Sequence, residues 1–252
     1  MSIATRLAPL VFKPYYSLTS RFASDDFVFL NMSYEENPPM GLPLDPADEP
    51  NRYFINFYHA VATQNGDLAG KRVLEVSCGQ GGGASYLTRT FRPDAYAGLD
   101  RNRAGIEFCR RRHQLPGLGF VHGDAQRLPF PDQSFDAVIN IEASTHYPDF
   151  PRFLAEVARV LTPGGRFLYA DVRPAEQIPA WEADLAACPL RIVSWRDISD
   201  DVARGMEHNA QLKAHNMRYL PAPIAKRYVA NACQSLRSEA GSYRMYCLAR
   251  HT

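Results

Sequence analysis

The sequence has no marked excess of charge of either sign, and this excludes several classes of partner. Its 28 lysines and arginines nearly balance its 27 aspartates and glutamates, which gives a formal net charge of +1 over 252 residues. It also lacks a basic tract, so we expect no nucleic acid as a partner. Repeats and low-complexity segments are absent. The length suits one α/β domain with a modest insertion.

Cysteine is scarce and long apolar runs are missing. The five cysteines are widely spaced and form no C-x-x-C pair, which argues against a disulfide framework or a zinc site and for a reducing compartment. No apolar run approaches the roughly 20 residues that span a bilayer, so we expect a cytoplasmic protein without stable membrane insertion. The amphipathic start of the chain does not look like a signal peptide. We expect it to pack as a lid, and peripheral membrane contact is the alternative.

The middle of the chain alternates short β-rich runs with longer amphipathic stretches. Strands are predicted at 71–77, 95–100, 118–125, 134–143 and 165–172. Helices are predicted at 82–91, 103–115 and 149–161, so parallel βαβ units are expected. A proline-rich loop at 36–50 precedes them, and a strand at 242–250 closes the chain.

Glycines cluster in the turn that follows the first predicted strand. VLEVSCGQGGG places Gly79 and Gly81 between a strand and a helix, and Asp100 ends the second strand. This pattern fits both a dinucleotide and S-adenosylmethionine. Glu75 favours the second, because a carboxylate near this turn repels a pyrophosphate and attracts a sulfonium or an amino group. Its alternative role is that of a surface or helix-dipole partner.

Further motifs follow in order along the chain. HGDAQ places Asp124 just past the third strand, where a carboxylate can accept from an adenine amino group. SFDAVINIEA forms the fourth strand and LTPGG precedes the fifth. The series resembles class I S-adenosylmethionine-dependent methyltransferases from about residue 70 to 173. Over nearly the whole chain it is similar to mycobacterial phthiotriol/phenolphthiotriol dimycocerosates methyltransferases and to rhamnosyl and fatty-acid O-methyltransferases.

The resemblance implies a Rossmann-like α/β fold, with a seven-stranded mostly parallel sheet, helices on both faces and a helical lid. It divides the chain into an N-terminal arm and lid (1–60), a cofactor-binding core (61–174), a helical cover over the acceptor site (175–225) and a C-terminal segment that completes the sheet (226–252). Ser77 stands where the wider class usually has its first loop glycine.

The resemblance also implies a cofactor, S-adenosylmethionine, and the residues that hold it. Its methionine end is expected at Glu75, Ser77, Gly79 and Gly81, its ribose at Asp100 and Arg101, and its adenine at Asp124 and Ala125. Glu142, at the end of the fourth strand, should face the methionine side or the acceptor. Tyr15 and Ser33 are candidates that close the pocket from the N-terminal arm, and for the tyrosine buried packing is the alternative.

Methyl transfer to a hydroxyl requires a group that removes its proton. Our candidate general base is His146, which follows the fourth strand in EASTHYPDF. Glu142 and Asp171 are alternative bases or orienting partners, and His59 is a candidate that faces the acceptor. We expect His113, after three arginines on a helix, to lie on a solvated face. The spacing of histidines and cysteines demands no metal.

The expected acceptor is a hydroxyl of a saccharide or glycolipid precursor. Methylation of a fatty-acid carboxylate, or of a phthiotriol-type lipid hydroxyl, is the alternative. A carboxylate is already ionised at neutral pH and needs no base, so the alternatives differ in their need for His146. A cofactor-binding relative without catalytic activity and a nicotinamide oxidoreductase are the remaining options. The sequence does not decide between a monomer and a homodimer.

Overall fold

The computed structural model of the protein describes residues 28–209, 222–238 and 240–250. Tyr15 and the rest of the predicted arm up to residue 27 lie outside these ranges. The described strands are β1 Arg72–Val76, β2 Ala95–Asp100, β3 Leu118–His122, β4 Phe135–Ile141, β5 Leu161–Pro174, β6 Leu190–Asp197 and β7 Gly241–Arg250. The described α-helices are α1 Arg52–Ala62, α2 Gly82–Phe91, α3 Arg103–Arg112, α4 Phe150–Val160, α5 Ile178–Ala187, α6 Ser199–His208 and α7 Ala222–Arg237.

The seven strands form one sheet in the order β3-β2-β1-β4-β5-β7-β6. All pairs are parallel except those of β7, which is antiparallel to β5 and to β6. This is the predicted Rossmann-like sheet. From β1 the chain moves outward to β2 and β3 and then returns to the other side of β1 with β4. The carboxyl ends of β1 and β4 therefore flank the switch point where ligands bind in open α/β sheets.

Helices cover both faces of the sheet, as predicted. On one face α1, α2, α3 and α6 supply a core that includes Phe57, Leu87, Ile106 and Val202. On the other face α4 and α5 pack their apolar sides, Phe153 among them, against the sheet. Because both faces are covered, the central strands are almost entirely buried.

Local signals explain where several elements begin. Asn102 caps α3, since its side chain accepts a hydrogen bond from the backbone of Gly105, and Asp149 caps α4 in the same way through Arg152. Helix α2 has no side-chain cap and begins after Gly81, whose φ is 76°. This helix start lies beside the switch point, and the N–H of its first residue, Gly82, donates to the carbonyl of Val28.

The segments around the core depart in part from the expected division. The loop at 36–50 is irregular as predicted and ends in a 3-10 turn, Glu49–Asn51. The predicted cover contributes strand β6 to the edge of the sheet as well as helices α5 and α6. Its role above an acceptor stays a prediction.

Candidate active site

The switch point between β1 and β4 brings together five of the predicted site residues. Because parallel strands end at the same edge, the turns after β1 and β4 lie side by side. The residues concerned are Ser77, Gly79 and Gly81 after β1, and Glu142 and His146 after β4.

The glycine loop has a backbone that only glycine adopts readily. Gly79 and Gly81 have φ angles of 57° and 76°. A Cβ on Gly81 would lie 2.9 Å from the His113 ring, which packs against the loop. The Nε2 atom of His113 lies 2.8 Å from the carbonyl oxygen of Gln80. The prediction that His113 lies on a solvated face is therefore wrong: it is buried because the loop packs on it.

Ser77 also has a left-handed backbone, with φ at 63°, although it is not glycine. Its hydroxyl lies 2.6 Å from the hydroxyl of Tyr147. The buried Asn140 amide donates to the same phenol oxygen at 2.9 Å and to the carbonyl of Val76 at 2.8 Å. The loop after β1 and the turn after β4 are thus joined by side-chain hydrogen bonds.

Asp100 ends β2 beside the glycine loop. Its two carboxylate oxygens accept hydrogen bonds from the backbone N–H groups of Gly79, at 3.0 Å, and Asn102, at 2.8 Å. Burial raises the pKa of this carboxyl above its ordinary value, although the two backbone donors oppose the shift. Each oxygen keeps a lone pair, so the carboxylate can still accept from ligand hydroxyls.

The predicted adenine side lies past β3. Asp124 is exposed and accepts a hydrogen bond from the backbone of Gln126, whereas Ala125 beside it is buried. Arg101 is exposed, and its carbonyl lies 3.1 Å from Nε2 of His122. An exposed acceptor next to a buried apolar residue suits a planar base that has one polar edge.

Glu75 occupies a different environment from the one the sequence suggests. It is fully buried, and its two oxygens accept from the phenols of Tyr58, at 3.0 Å, and Tyr96, at 2.8 Å. Burial raises the pKa of Glu75 to about 7, with the two phenols opposing the shift. A surface role is thus excluded. A direct contact with a cofactor stays a prediction.

The beginning of the described chain lies across the site. The carbonyl of Val28 accepts from the first residue of α2, Gly82, at 3.1 Å. Four residues later the N–H of Met32 donates to the Glu142 carboxylate at 2.6 Å. Residues 28–32 therefore bridge the glycine loop and the end of β4, so this part of the predicted arm is placed where a lid would lie.

His146 ends a short 3-10 turn, Ser144–His146, and its side chain is exposed. The turn is fixed by Asp171 at the end of β5. One Asp171 oxygen accepts from the Ser144 backbone at 2.8 Å, from the Ser144 hydroxyl at 2.6 Å and from the Thr145 backbone at 3.3 Å. Arg173 lies 3.3 Å from the same oxygen. The buried Asp171 carboxylate therefore holds the turn, and its role as an orienting partner or a base stays a prediction.

Two predicted residues are placed elsewhere. His59 lies beside the ring of Phe91, the last residue of α2, and its Nδ1 atom is 2.8 Å from the Tyr86 hydroxyl. Since α2 begins at the glycine loop, its last residue lies toward the opposite edge of the sheet. The side chain of His59 also lines a cavity of about 500 Å³. Ser33 is buried and accepts from the amide of Asn209 at 2.9 Å, so its observed contact is with the end of α6.

Comparison with known proteins identifies the family. A model described as a methyltransferase domain matches residues 74–169. The phthiotriol/phenolphthiotriol dimycocerosates methyltransferase of Mycobacterium tuberculosis (strain ATCC 25618 / H37Rv) is 55% identical over 250 residues, which cover 95% of this chain and 92% of the relative. The chain is an S-adenosylmethionine-dependent methyltransferase.

Two further comparisons place the methyltransferase more broadly. A fatty-acid O-methyltransferase of Mycolicibacterium smegmatis (strain ATCC 700084 / mc(2)155) is also 55% identical, over 94% of this chain and 88% of the relative. The geranyl diphosphate C-methyltransferase of Streptomyces coelicolor A3(2), solved with Mg²⁺, geranyl diphosphate and S-adenosylhomocysteine, superposes with a TM-score of 0.67. That structure is 18% identical and covers 94% of this chain and 98% of its own, and the likeness supports the fold alone.

The residues of this methyltransferase fit the cofactor that the family uses. Asp100 has free acceptor capacity at the place where ribose hydroxyls are expected, and Asp124 offers an exposed acceptor for an adenine amino group. The pKa of Glu75 is raised to about 7, so this carboxyl is only partly ionised near neutral pH, and its part in holding a cofactor stays a prediction. The choice of cofactor therefore rests on the family rather than on Glu75.

The sequence did not single out Tyr147 or Asn140, which join the two loops of the site. Tyr147 directly follows the predicted base, and Asn140 precedes the end of β4. The signal that the sequence offered for them was therefore their place next to predicted site residues. Among the described residues, none of the helices has the length and apolar character needed to cross a membrane.

Proposed function

We propose that the protein transfers a methyl group to a hydroxyl oxygen of a lipid acceptor, with His146 as the general base. The observation that carries the proposal is the exposed imidazole at the carboxyl edge, on a turn held by the saturated carboxylate of Asp171. The relative from Mycobacterium tuberculosis, named for phthiotriol, supports a lipid that bears hydroxyl groups.

The cofactor supplies a methyl group that its sulfonium already activates, so the protein has to align the acceptor and handle one proton. An aliphatic hydroxyl is a poor nucleophile until that proton leaves. An imidazole nitrogen of His146 can accept the proton, since one ring nitrogen of a neutral imidazole carries no hydrogen. Asp171 and Ser144 hold the backbone of the turn, and this fixes the backbone position from which the His146 side chain extends.

Carboxyl methylation of a fatty acid is the second candidate, because the relative from Mycolicibacterium smegmatis is as similar as the first. The chemistry separates the two candidates. A carboxylate is ionised at neutral pH and requires no base, whereas a hydroxyl does. A saccharide acceptor, the third candidate, would require the base in the same way.

The test compares wild type with His146→Ala on a long-chain diol, a long-chain fatty acid and an alkyl glycoside. We expect the wild type to methylate the diol, and the variant to lose about 10²–10⁴-fold in kcat on it. If the wild type also methylates the fatty acid, the kcat of His146→Ala for this ester formation should stay within about threefold of the wild-type value, because a carboxylate needs no base.

The matched control is His122→Ala, which removes an exposed histidine at the end of β3. Equal activity of wild type and His146→Ala on the diol would remove His146 from the mechanism. Transfer to the fatty acid alone would favour the second candidate, and transfer to the alkyl glycoside alone would favour a saccharide acceptor.

A further inference from the structure

The turn that carries His146 is anchored on both sides of the histidine. Ser144 and Thr145, before it, are bound by Asp171. Tyr147, after it, is bound by Ser77 and Asn140. The first anchor belongs to β5, whereas the second reaches across to the loop after β1. The position of the imidazole therefore depends on the loop that holds the cofactor.

The second anchor is built into the core. The Tyr147 ring packs edge-on against Phe153 of α4, with 4.8 Å between the ring centroids. Its hydroxyl is buried between the Ser77 hydroxyl and the Asn140 amide, and burial raises the pKa of Tyr147. The phenol therefore remains protonated at neutral pH.

The backbone of Ser77 gives independent support. Its φ of 63° lies in the left-handed region, where glycine carries no steric cost and serine does. Such strain persists where the surrounding structure or a function requires the residue. What serine adds at this position is a hydroxyl, and that hydroxyl is directed to Tyr147.

We propose that Tyr147 is a positioning residue that locks the turn bearing His146 to the cofactor loop through Ser77. This inference rests on the proposed function, in which His146 is the base. Without the bond to Ser77, the turn keeps the Asp171 anchor and the Asn140 amide but loses its link to the cofactor loop, and the imidazole loses its alignment with the acceptor. The loss falls on the catalytic step rather than on binding, because Tyr147 acts through His146.

Two single variants test this inference in different ways. Tyr147→Phe removes the hydroxyl and keeps the ring on Phe153. Ser77→Gly removes the other hydroxyl and also relieves the left-handed strain, so it should fold without loss of stability. We expect each to lower kcat on the hydroxyl acceptor roughly tenfold, as a small misplacement of a catalytic group does. In Tyr147→Phe the acceptor KM and the Kd of S-adenosylhomocysteine should change by less than about threefold, whereas Ser77→Gly is compared by kcat alone because Ser77 is itself a predicted cofactor-binding residue.

The double variant and a matched control complete the set. Tyr147→Phe combined with Ser77→Gly should have a kcat no lower than that of the less active single variant, since both changes remove the bond between Ser77 and Tyr147. Tyr86→Phe makes the same chemical change at a tyrosine whose hydroxyl meets His59, away from the switch point. It should leave kcat unchanged.

A measurement that does not depend on turnover is the NMR signal of the His146 ring, assigned by its loss in His146→Ala. This signal should move in Tyr147→Phe and Ser77→Gly and stay in place in Tyr86→Phe. An unmoved signal, or an unchanged kcat in either single variant, would overturn the inference. So would a loss confined to stability or to S-adenosylhomocysteine affinity. If His146→Ala is fully active on the hydroxyl acceptor, the proposed function fails instead.

Discussion

Glu75 is a carboxylic acid within the core, and the hydroxyls of Tyr58 and Tyr96 are its hydrogen-bond donors. Burial raises its pKa from an ordinary value of 4.5 to about 7. At a pH between these two pKa values, the native state binds a proton that the unfolded chain has released. Stability should therefore fall as the pH rises through this window.

We expect the free energy of unfolding of the wild type to fall relative to that of Glu75→Gln between about pH 5 and pH 8. A shift of this size corresponds to a change of about 3 kcal/mol at most. The glutamine does not titrate, and other ionisable groups are common to both proteins. Urea unfolding at several pH values measures the difference. A difference that is constant or grows with pH would contradict the raised pKa.

At the residue scale, the sequence predicts the strand-end carboxylates but not their partners. Asp100 could be placed because it ends a strand that its apolar pattern defines. The bond between Ser77 and Tyr147 joins residues 70 positions apart, and the bond between Glu75 and Tyr58 joins residues 17 apart. Such contacts depend on how α1 and the turn after β4 dock on the sheet, which local pattern does not specify.

At the scale of elements, helices α1 and α2 pack closely against each other beside the site. A Cβ on Gly83 would lie 1.9 Å from the Tyr58 ring, so only glycine allows the two helices this distance. The hydroxyl of the same tyrosine donates to Glu75, so the helix packing and the buried acid share one side chain.

Gly83→Ala should therefore destabilise the protein by about 1–3 kcal/mol, the usual cost of overpacking. Gly119→Ala is the matched control, because Gly119 lies in β3 with open space around its Cα and an ordinary backbone. It should be neutral or slightly stabilising. Urea unfolding of the two variants gives the comparison. Equal stability of Gly83→Ala and the wild type would show that α1 can shift away.

Elements with a strong apolar pattern were predicted almost to the residue. Helix α2 and strand β2 have the predicted bounds, 82–91 and 95–100. Strand β3 ends at His122 rather than at 125, because the chain turns at Gly123 and Asp124. Strand β6 gives a weaker signal in the sequence. It is an edge strand that is mostly exposed and has a register shift between Ile192 and Ser194, so its pattern does not alternate.

At the scale of the whole molecule, the site is assembled from strands that are distant in the chain. Strands β1, β2, β4 and β5 each contribute a carboxyl end, and β7 inserts between β5 and β6 to complete the sheet. A ligand at this edge contacts several elements at once. A ligand that binds the native state but not the unfolded chain should therefore raise the stability of the entire fold by mass action.

S-adenosylhomocysteine at about 100 times its Kd should stabilise the wild type by about 2.7 kcal/mol. Asp100→Asn should lose most of this effect, because the amide removes the charge and half of the acceptor capacity opposite the ribose. Thermal unfolding with and without ligand measures both.

Asp136→Asn is the matched control. Asp136 pairs with Arg72 at the opposite edge of the sheet, so this variant can lower the starting stability but should keep the ligand-induced increase. An Asp100→Asn variant that gains as much from the ligand as the wild type would show that the end of β2 does not hold the ribose. Loss of the increase in Asp136→Asn as well would mean that any weakening of the sheet impairs binding, and the assignment of Asp100 would then fail.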